Sequence, residues 1–195
     1  AKNYRPISLL PVASKIKEKI IFDQTITFLS ANEILYKMQS GFRKNHSTAS
    51  CLTFLNNKII EGIDSGLLTG MILIDLQKAF DTIDHEILLA KMNYFGFSQQ
   101  VIKWFTSYLS ERKFCVSVND KFSKHESLSC GVPQGSILGP LLFLLYVNDM
   151  PNAVNCELLL YADDSCLIYQ HKEVDKIEKQ LTENFSNLCE WFVDN

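Results

Sequence analysis

Apolar and polar positions along the chain follow two different periods. Leu52, Leu55, Ile59 and Ile63 recur three and four apart, and so do Val174, Ile177, Leu181, Phe185, Leu188 and Phe192. That spacing lines each set along one face of an α-helix. Leu88, Met92 and Phe95 form a shorter set stopped by Gly96, and Ile102, Phe105 and Leu109 another that Ser98 can cap. Ser14 is placed to cap a helix running to about Asn32, after an opening that Pro6 and Pro11 keep extended. Ser47 or Thr48 begins the next helix, beyond a loop at residues 39–46. Continuous short apolar runs read instead as buried strands. Met71-Ile72-Leu73-Ile74 ends at Asp75, while residues 158–161 and 166–169 flank Ala162-Asp163-Asp164-Ser165 as a hairpin with acids at its tip. Residues 114–118 and 122–128 suggest a further hairpin turning at Asn119-Asp120. A stretch at 131–140 punctuated by Gly and Pro leads into an apolar helix through Val147. Strands interleaved with helices in this order predict an α+β fold with a mainly antiparallel sheet.

Composition narrows the class without naming a function. The 195 residues are 47% hydrophobic and 21% charged, with 8 Gly and 5 Pro, which suits a globular domain and not a disordered or fibrous chain. The apolar run at 141–147 falls far short of the roughly 20 residues of a membrane span, so no membrane partner is expected. Residues 1–14 lack the apolar stretch of a signal peptide. The six cysteines are never closer than ten residues, which excludes a C-x-x-C pair and predicts reduced, mostly buried thiols in an intracellular protein.

Charge is uneven. Residues 1–60 carry nine Lys and Arg against three acids, and the remainder ten against nineteen, for a net charge of −3. A basic first third suits phosphate contacts and an acidic remainder suits metal ligation, although an unevenly charged solvated surface gives the same count. Asp75 and the Asp163-Asp164 pair stand out because they end apolar strands. Adjacent strands would bring them together, where two carboxylates ~4 Å apart repel by roughly 4 kcal/mol at an effective dielectric near 20. A divalent cation removes that penalty, and oxygen ligands without His or Cys select Mg²⁺ or Mn²⁺. On the acids alone, a turn pair and a strand terminator remain the simpler account. Other chemistries lack their patterns: there is no phosphate-binding G-x-x-x-x-G-K-[ST], no H-E-x-x-H and no G-x-S-x-G, and His46, His85, His125 and His171 have no zinc spacing.

Four blocks occur in a particular order. They are Asn3-Tyr4-Arg5-Pro6-Ile7-Ser8-Leu9-Leu10-Pro11; Gln39-Ser40-Gly41-Phe42-Arg43; Asp75-Leu76-Gln77-Lys78-Ala79-Phe80-Asp81 with Asp84-His85; and Gly131-Val132-Pro133-Gln134-Gly135-Ser136 through Gly139-Pro140, closed by Tyr161-Ala162-Asp163-Asp164. Together they resemble the reverse transcriptase domain of non-LTR (LINE-type) retrotransposons, and the resemblance overrides the turn-pair account. It implies a right-hand polymerase palm with an antiparallel sheet backed by helices, plus a fingers lobe: residues 1–70 mainly fingers, residues 71–195 mainly palm with room for finger insertions, the thumb absent. The 84–95 and 136–149 helices would back the sheet.

The resemblance also implies roles. Asp75, Asp163 and Asp164 would be catalytic and, with the Leu76 carbonyl, would hold two Mg²⁺ ions for which Mn²⁺ can substitute. Arg5, Lys78, Ala79, Phe80 and Gln134 would bind dNTP, with Phe80, five residues after Asp75, as an aromatic gate against a ribose 2′-hydroxyl. Gln39 and Arg43 would contact template. The implied activity is RNA-directed DNA synthesis, with RNA template, DNA primer and dNTPs as partners, in the nucleus or a cytoplasmic ribonucleoprotein. Without a thumb the 195-residue chain is expected to extend primers poorly. Two other readings are a transposon-derived RNA-binding domain without turnover and a different palm-type enzyme, since fold does not fix function.

Overall fold

The computed structural model describes residues 7–195. Among these, six α-helices and seven strands are interspersed, and the chain divides into two compact units, each assembled from separated stretches. One comprises residues up to Phe28 together with Lys78–Tyr146, the other Leu29–Gln77 with Val147–Asn195. The units are interleaved along the sequence. Among the described residues no helix is long and apolar enough to cross a membrane.

The second unit contains the main sheet. Strands β1 (Leu68–Asp75), β6 (Glu157–Tyr161) and β7 (Asp164–His171) form an antiparallel sheet in the order β1-β7-β6. The apolar runs predicted all three, and β1 extends three residues further back than Met71. Side chains alternate between faces. On one face Gly70 lies beneath helix α6 (Val174–Asp194), where a Cβ would overlap Ile177 and fall 2.9 Å from Leu181 Cδ1. The other face carries Leu159, Cys166 and Ile168 against Cys51, Phe54 and Leu55 of helix α2 (Thr48–Asp64). Helix α2 begins as expected: Ser47 accepts from the Ser50 N–H while the Ser50 hydroxyl accepts from the Ser47 N–H, a reciprocal cap. Buried Asn184 ties α6 to the turn before β6, since its Oδ1 accepts from the Asn155 N–H at 2.6 Å. The helices packed on this sheet are therefore α2 and α6. The 84–95 helix, expected to back the sheet, lies in the other unit, and the 136–149 stretch is divided between the two units after Tyr146.

That first unit is mainly helical. Helix α1 (Val12–Ala31) starts two residues before Ser14, because the Pro11 carbonyl accepts from the Lys15 N–H and closes the first turn. Asp84 and Ser98 cap α3 (His85–Tyr94) and α4 (Gln99–Leu109). Helix α5 (Leu138–Val147) is apolar on nearly every side, and its Leu141 to Val147 positions are all buried. A helix of this composition can exist in water only when enclosed. The single hairpin expected at 114–128 is two short ribbons, β2 (Lys113–Phe114) with β5 (Glu126–Ser127) and β3 (Ser117–Val118) with β4 (Lys121–Phe122). Asn119 and Asp120 are both left-handed (φ 48° and 60°), as a type I′ turn requires. The ladder breaks where the Val116 N–H donates to the Ser123 hydroxyl. All six cysteines are free, but Cys130 and Cys189 are exposed, so burial is less general among them than expected. Burial pushes the Cys51 thiol up and the Cys166 thiol up to about 11, which makes both packing groups and not nucleophiles.

One buried acid is not singled out by the sequence. Glu18 is 1% exposed, and its Oε2 accepts from the Ile137 N–H (2.8 Å) at the entry to α5. Its Oε1 accepts from the hydroxyls of Tyr108 (3.1 Å) and Ser14 (3.4 Å). Burial, then the Glu18 charge, pushes the Tyr108 phenol up to about 12, so it remains a donor across the ordinary pH range. Glu18→Ala strands these donors and should lower stability in urea unfolding by about 3 kcal/mol. Tyr108→Phe, which removes one of them, should cost about 1 kcal/mol.

Candidate active site

The β1–β7 register sets Asp75 directly opposite Asp164, and β6 sets Tyr161 opposite Asp164 on the other side. Directly opposed residues in an antiparallel ladder have Cα atoms about 4.5 to 5.5 Å apart. Strand alternation puts Asp75, Asp164, Leu73, Cys166 and Tyr161 on one face of the sheet. Asp163 falls in the two-residue turn between β6 and β7, half-buried where Asp75 and Asp164 are exposed. No described ion pair involves these three acids. The structure thus brings the predicted acids to one corner of the sheet. Among the described residues no group of three or more His, Cys, Asp or Glu side chains is already gathered as a metal-binding set.

The turn itself has an unusual backbone. Ala162 is left-handed (φ 56°) at the first loop position, the conformation of a type II′ turn in which Gly is usual. Residues 38–40 lie against β6, with Ser40 N–H donating to the Leu160 carbonyl (2.8 Å) and Leu160 N–H to the Met38 carbonyl (3.1 Å). Gln39, expected to contact template, is 3% exposed, and its Oε1 accepts from the N–H groups of Gly41 (2.7 Å) and Ala162 (3.0 Å). Burial removes its side chain from a template strand, so that expectation gives way. Arg43 is half-buried. Its Nη1 donates to the carbonyls of Tyr36 (2.9 Å) and Gln39 (3.1 Å), and burial lowers its guanidinium pKa.

Of the remaining candidates, Leu76 directly follows β1 in the same unit and is half-buried, Arg5 is outside the described residues, and the others lie in the other unit. Lys78 is exposed and left-handed (φ 56°), and its carbonyl accepts from the Asp81 N–H (2.7 Å) across a tight turn containing buried Ala79. Such a turn presents successive backbone amides, the arrangement used in anion sites. Phe80 is half-buried and stacked on Phe143 with ring centroids 4.8 Å apart, so its ring is held in place by the core. Gln134 Nε2 donates to Asp81 Oδ1 (2.9 Å), and the Gln134 carbonyl accepts from the Ser8 N–H (2.8 Å).

Two sequence blocks are stitched together here. Val132 N–H donates to the Phe80 carbonyl (2.8 Å), Gly131 N–H to the Ile83 carbonyl (2.7 Å), and His85 Nε2 to the Gly131 carbonyl (2.8 Å). Gly131 is left-handed (φ 79°), and a Cβ there would lie 2.7 Å from the Asp81 carbonyl oxygen. Asp81 is the partner to which sequence reasoning gives no role. Its place in the same block as Asp75 and Phe80 is the available signal.

These features are those of a polymerase palm motif set, and comparison with known proteins agrees. The model of the reverse transcriptase (RNA-dependent DNA polymerase) family matches residues 1–194, and the chain belongs to that family. Among curated proteins, it is 34% identical over 97% of its length to a probable RNA-directed DNA polymerase from transposon BS of Drosophila melanogaster, of which it spans 22%. It is 34% identical over 97% of its length to the RNA-directed DNA polymerase from mobile element jockey of the same species, spanning 21% of that protein. The chain therefore covers about a fifth of these relatives. A solved apo telomerase from Candida tropicalis, truncated from the C-terminal domain, superposes with a TM-score of 0.58 at 16% identity, over 89% of this chain and 37% of that one. This likeness establishes the shared fold. The resemblance to non-LTR retrotransposon enzymes and the α+β palm with fingers are thus borne out.

Two glycines separate backbone demand from packing demand. Gly96 is left-handed (φ 85°) with nothing within 4 Å of an added Cβ, whereas Gly131 is left-handed and crowded. Gly96→Ala should cost about 1 kcal/mol, a conformational term alone. Gly131→Ala should cost at least about 2 kcal/mol more in urea unfolding, because the backbone of Asp81 must also move.

Proposed function

We propose that this domain supplies the fingers and palm of an RNA-directed DNA polymerase that extends a DNA primer with dNTPs on an RNA template during retrotransposon copying. The observation that carries the reading is the alignment of Asp75 with Asp164 across adjacent strands, with Asp163 in the connecting turn, in a member of the reverse transcriptase family. Members of this family use divalent metal. The donor set here fits a hard divalent cation: three carboxylates and the Leu76 carbonyl, all oxygen, with no His or Cys. Asp75, Asp163, Asp164 and Leu76 would hold Mg²⁺, with Mn²⁺ able to substitute. The chemistry such ions would supply there is acidification of a primer hydroxyl and neutralisation of charge on the triphosphate.

The rest falls to the protein's own groups. The carboxylates are assigned to hold the cations, at places set by the β1–β7 register and the turn that carries Asp163. The Lys78 turn offers backbone amides and a cation to phosphate, while Arg5 is assigned to the triphosphate and Arg43 to the template backbone. Phe80, fixed against Phe143, is assigned to the sugar, where a ring excludes a 2′-hydroxyl by bulk. Gln134, oriented by Asp81, is assigned to the nucleotide beside the templating pair.

Primer extension by the full-length protein on an RNA template with Mg²⁺ tests the reading. Incorporation should be abolished by Asp163→Ala and by EDTA, and restored after EDTA by excess Mg²⁺. Phe80→Val should raise the ratio of rNTP to dNTP incorporation by roughly tenfold or more, measured as kcat/KM for each. A folded, Mg²⁺-supplied protein that incorporates nothing would support a non-catalytic RNA-binding domain instead.

A further inference from the structure

The turn that carries Asp163 is held by a side chain from a distant part of the sequence. Gln39 is almost wholly buried, and one atom, Oε1, accepts from both the Ala162 and the Gly41 N–H groups. Two converging N–H donors require an acceptor, so the amide orientation is dictated by the network. Among the described residues its Nε2, which is buried, has no hydrogen-bond partner. A buried donor left unmade is unfavourable, so the amide is kept here for its oxygen.

The clamp answers a specific need. Ala162 is left-handed, a conformation that a residue bearing a Cβ adopts only when its surroundings hold it there. Two features of the 36–43 segment do so. Gly41 lies so close that a Cβ would overlap Ala162 N and fall 2.6 Å from its Cα, so the absence of a side chain lets the two backbones touch. The segment is in turn fixed to β6: Gln39 pairs with Leu160 in a parallel bridge, and the Tyr36 hydroxyl donates to the Leu158 carbonyl at 2.8 Å. Ala162 is the residue immediately before Asp163, so its N–H and φ determine where the following carboxylate stands.

We infer that Gln39 is a positioning residue for the polymerase reaction: through its bond to the Ala162 N–H it sets the β6–β7 turn and thereby the place of the Asp163 carboxylate. It touches no substrate. The inference rests on the polymerase reading for its effect on rate, but the clamp is measurable without it.

The test uses the full-length protein with Gln39→Leu, which keeps the bulk and removes the acceptor, and Gln39→Glu, which keeps an acceptor at the same reach. Three quantities are compared: kcat for primer extension, Kd for template–primer, and amide hydrogen exchange at Ala162. Gln39→Leu should lower kcat by about 30-fold or more, as expected when a reacting group shifts by a fraction of an ångström to one ångström. Kd for template–primer should stay within about twofold, and Ala162 exchange should quicken by about tenfold as its acceptor is lost. Gln39→Glu should restore slow exchange and most of kcat, which a purely space-filling role would not predict. A Gln39→Leu protein with raised Kd and unchanged kcat would overturn the inference in favour of a template contact. Unchanged kcat with unchanged exchange would overturn it outright. If Gln39→Leu fails to unfold cooperatively, Gly41→Ala, which forces the segment away from Ala162, is followed by the same three quantities, and the same outcomes support or overturn the inference. A wild-type protein without incorporation would refute the polymerase reading, and exchange at Ala162 would then decide the clamp by itself: faster exchange in Gln39→Leu supports it and equal exchange refutes it.

Discussion

The alignment of β1 with β7 is the constraint on which the rest of this structure depends. Because side chains alternate along a strand, a slip of one residue would send Asp75 to the face covered by α6 and leave Asp164 on the opposite one. Several unrelated contacts prevent that slip. Gly70 fits under Ile177 and Leu181 only in this register, and Cys166 and Ile168 meet α2 only when they share the face of the acids. Packing on both faces therefore fixes the juxtaposition of like charges, a juxtaposition that is unfavourable by itself. Stability and chemistry pull in opposite directions at this corner, and the apolar strands behind it decide the outcome.

A second theme is that blocks far apart in sequence are each other's immediate neighbours. The Gly131-Val132-Pro133-Gln134 stretch is hydrogen-bonded to Phe80, Asp81 and Ile83, and the Gln39-Ser40-Gly41 stretch to Leu160 and Ala162. In both cases a glycine allows the approach, Gly131 against Asp81 and Gly41 against Ala162. The motif glycines are thus positions of backbone contact between blocks. Their neighbours, Gln134 and Gln39, commit an amide group to holding the partner block.

Much of this is legible in the sequence, for identifiable reasons. The 3.6-residue pattern of α6 and the apolar runs of β1, β6 and β7 are strong local signals that tertiary packing reinforces. The placement of Asp75 and the Asp163-Asp164 pair at strand ends follows from those runs. The start of α1 escapes the pattern because Ser14 offers a cap while the Pro11 carbonyl closes the turn earlier. Glu18 escapes it since a lone acid in an amphipathic helix reads as solvated, and only the fold supplies Tyr108 and Ile137 as partners. Gln39 misleads for a related reason: a polar residue in a loop looks available, and the two N–H groups that enclose it come from the turn and from its own loop. Alternation and periodicity are properties of neighbours in sequence, whereas these polar partnerships span about 90 to 120 residues.

The outer side of β1 has a consequence of a different kind. Among the described residues β1 pairs with β7 alone, and Leu73 is 78% exposed, with Leu68 and Met71 also exposed. The strand carries no Pro, no Lys and, before Asp75, no charge. Natural sheets ordinarily guard such a border with those residues, since an open border accepts a further strand. Nothing in the strand's own sequence before Asp75 therefore opposes pairing along that border.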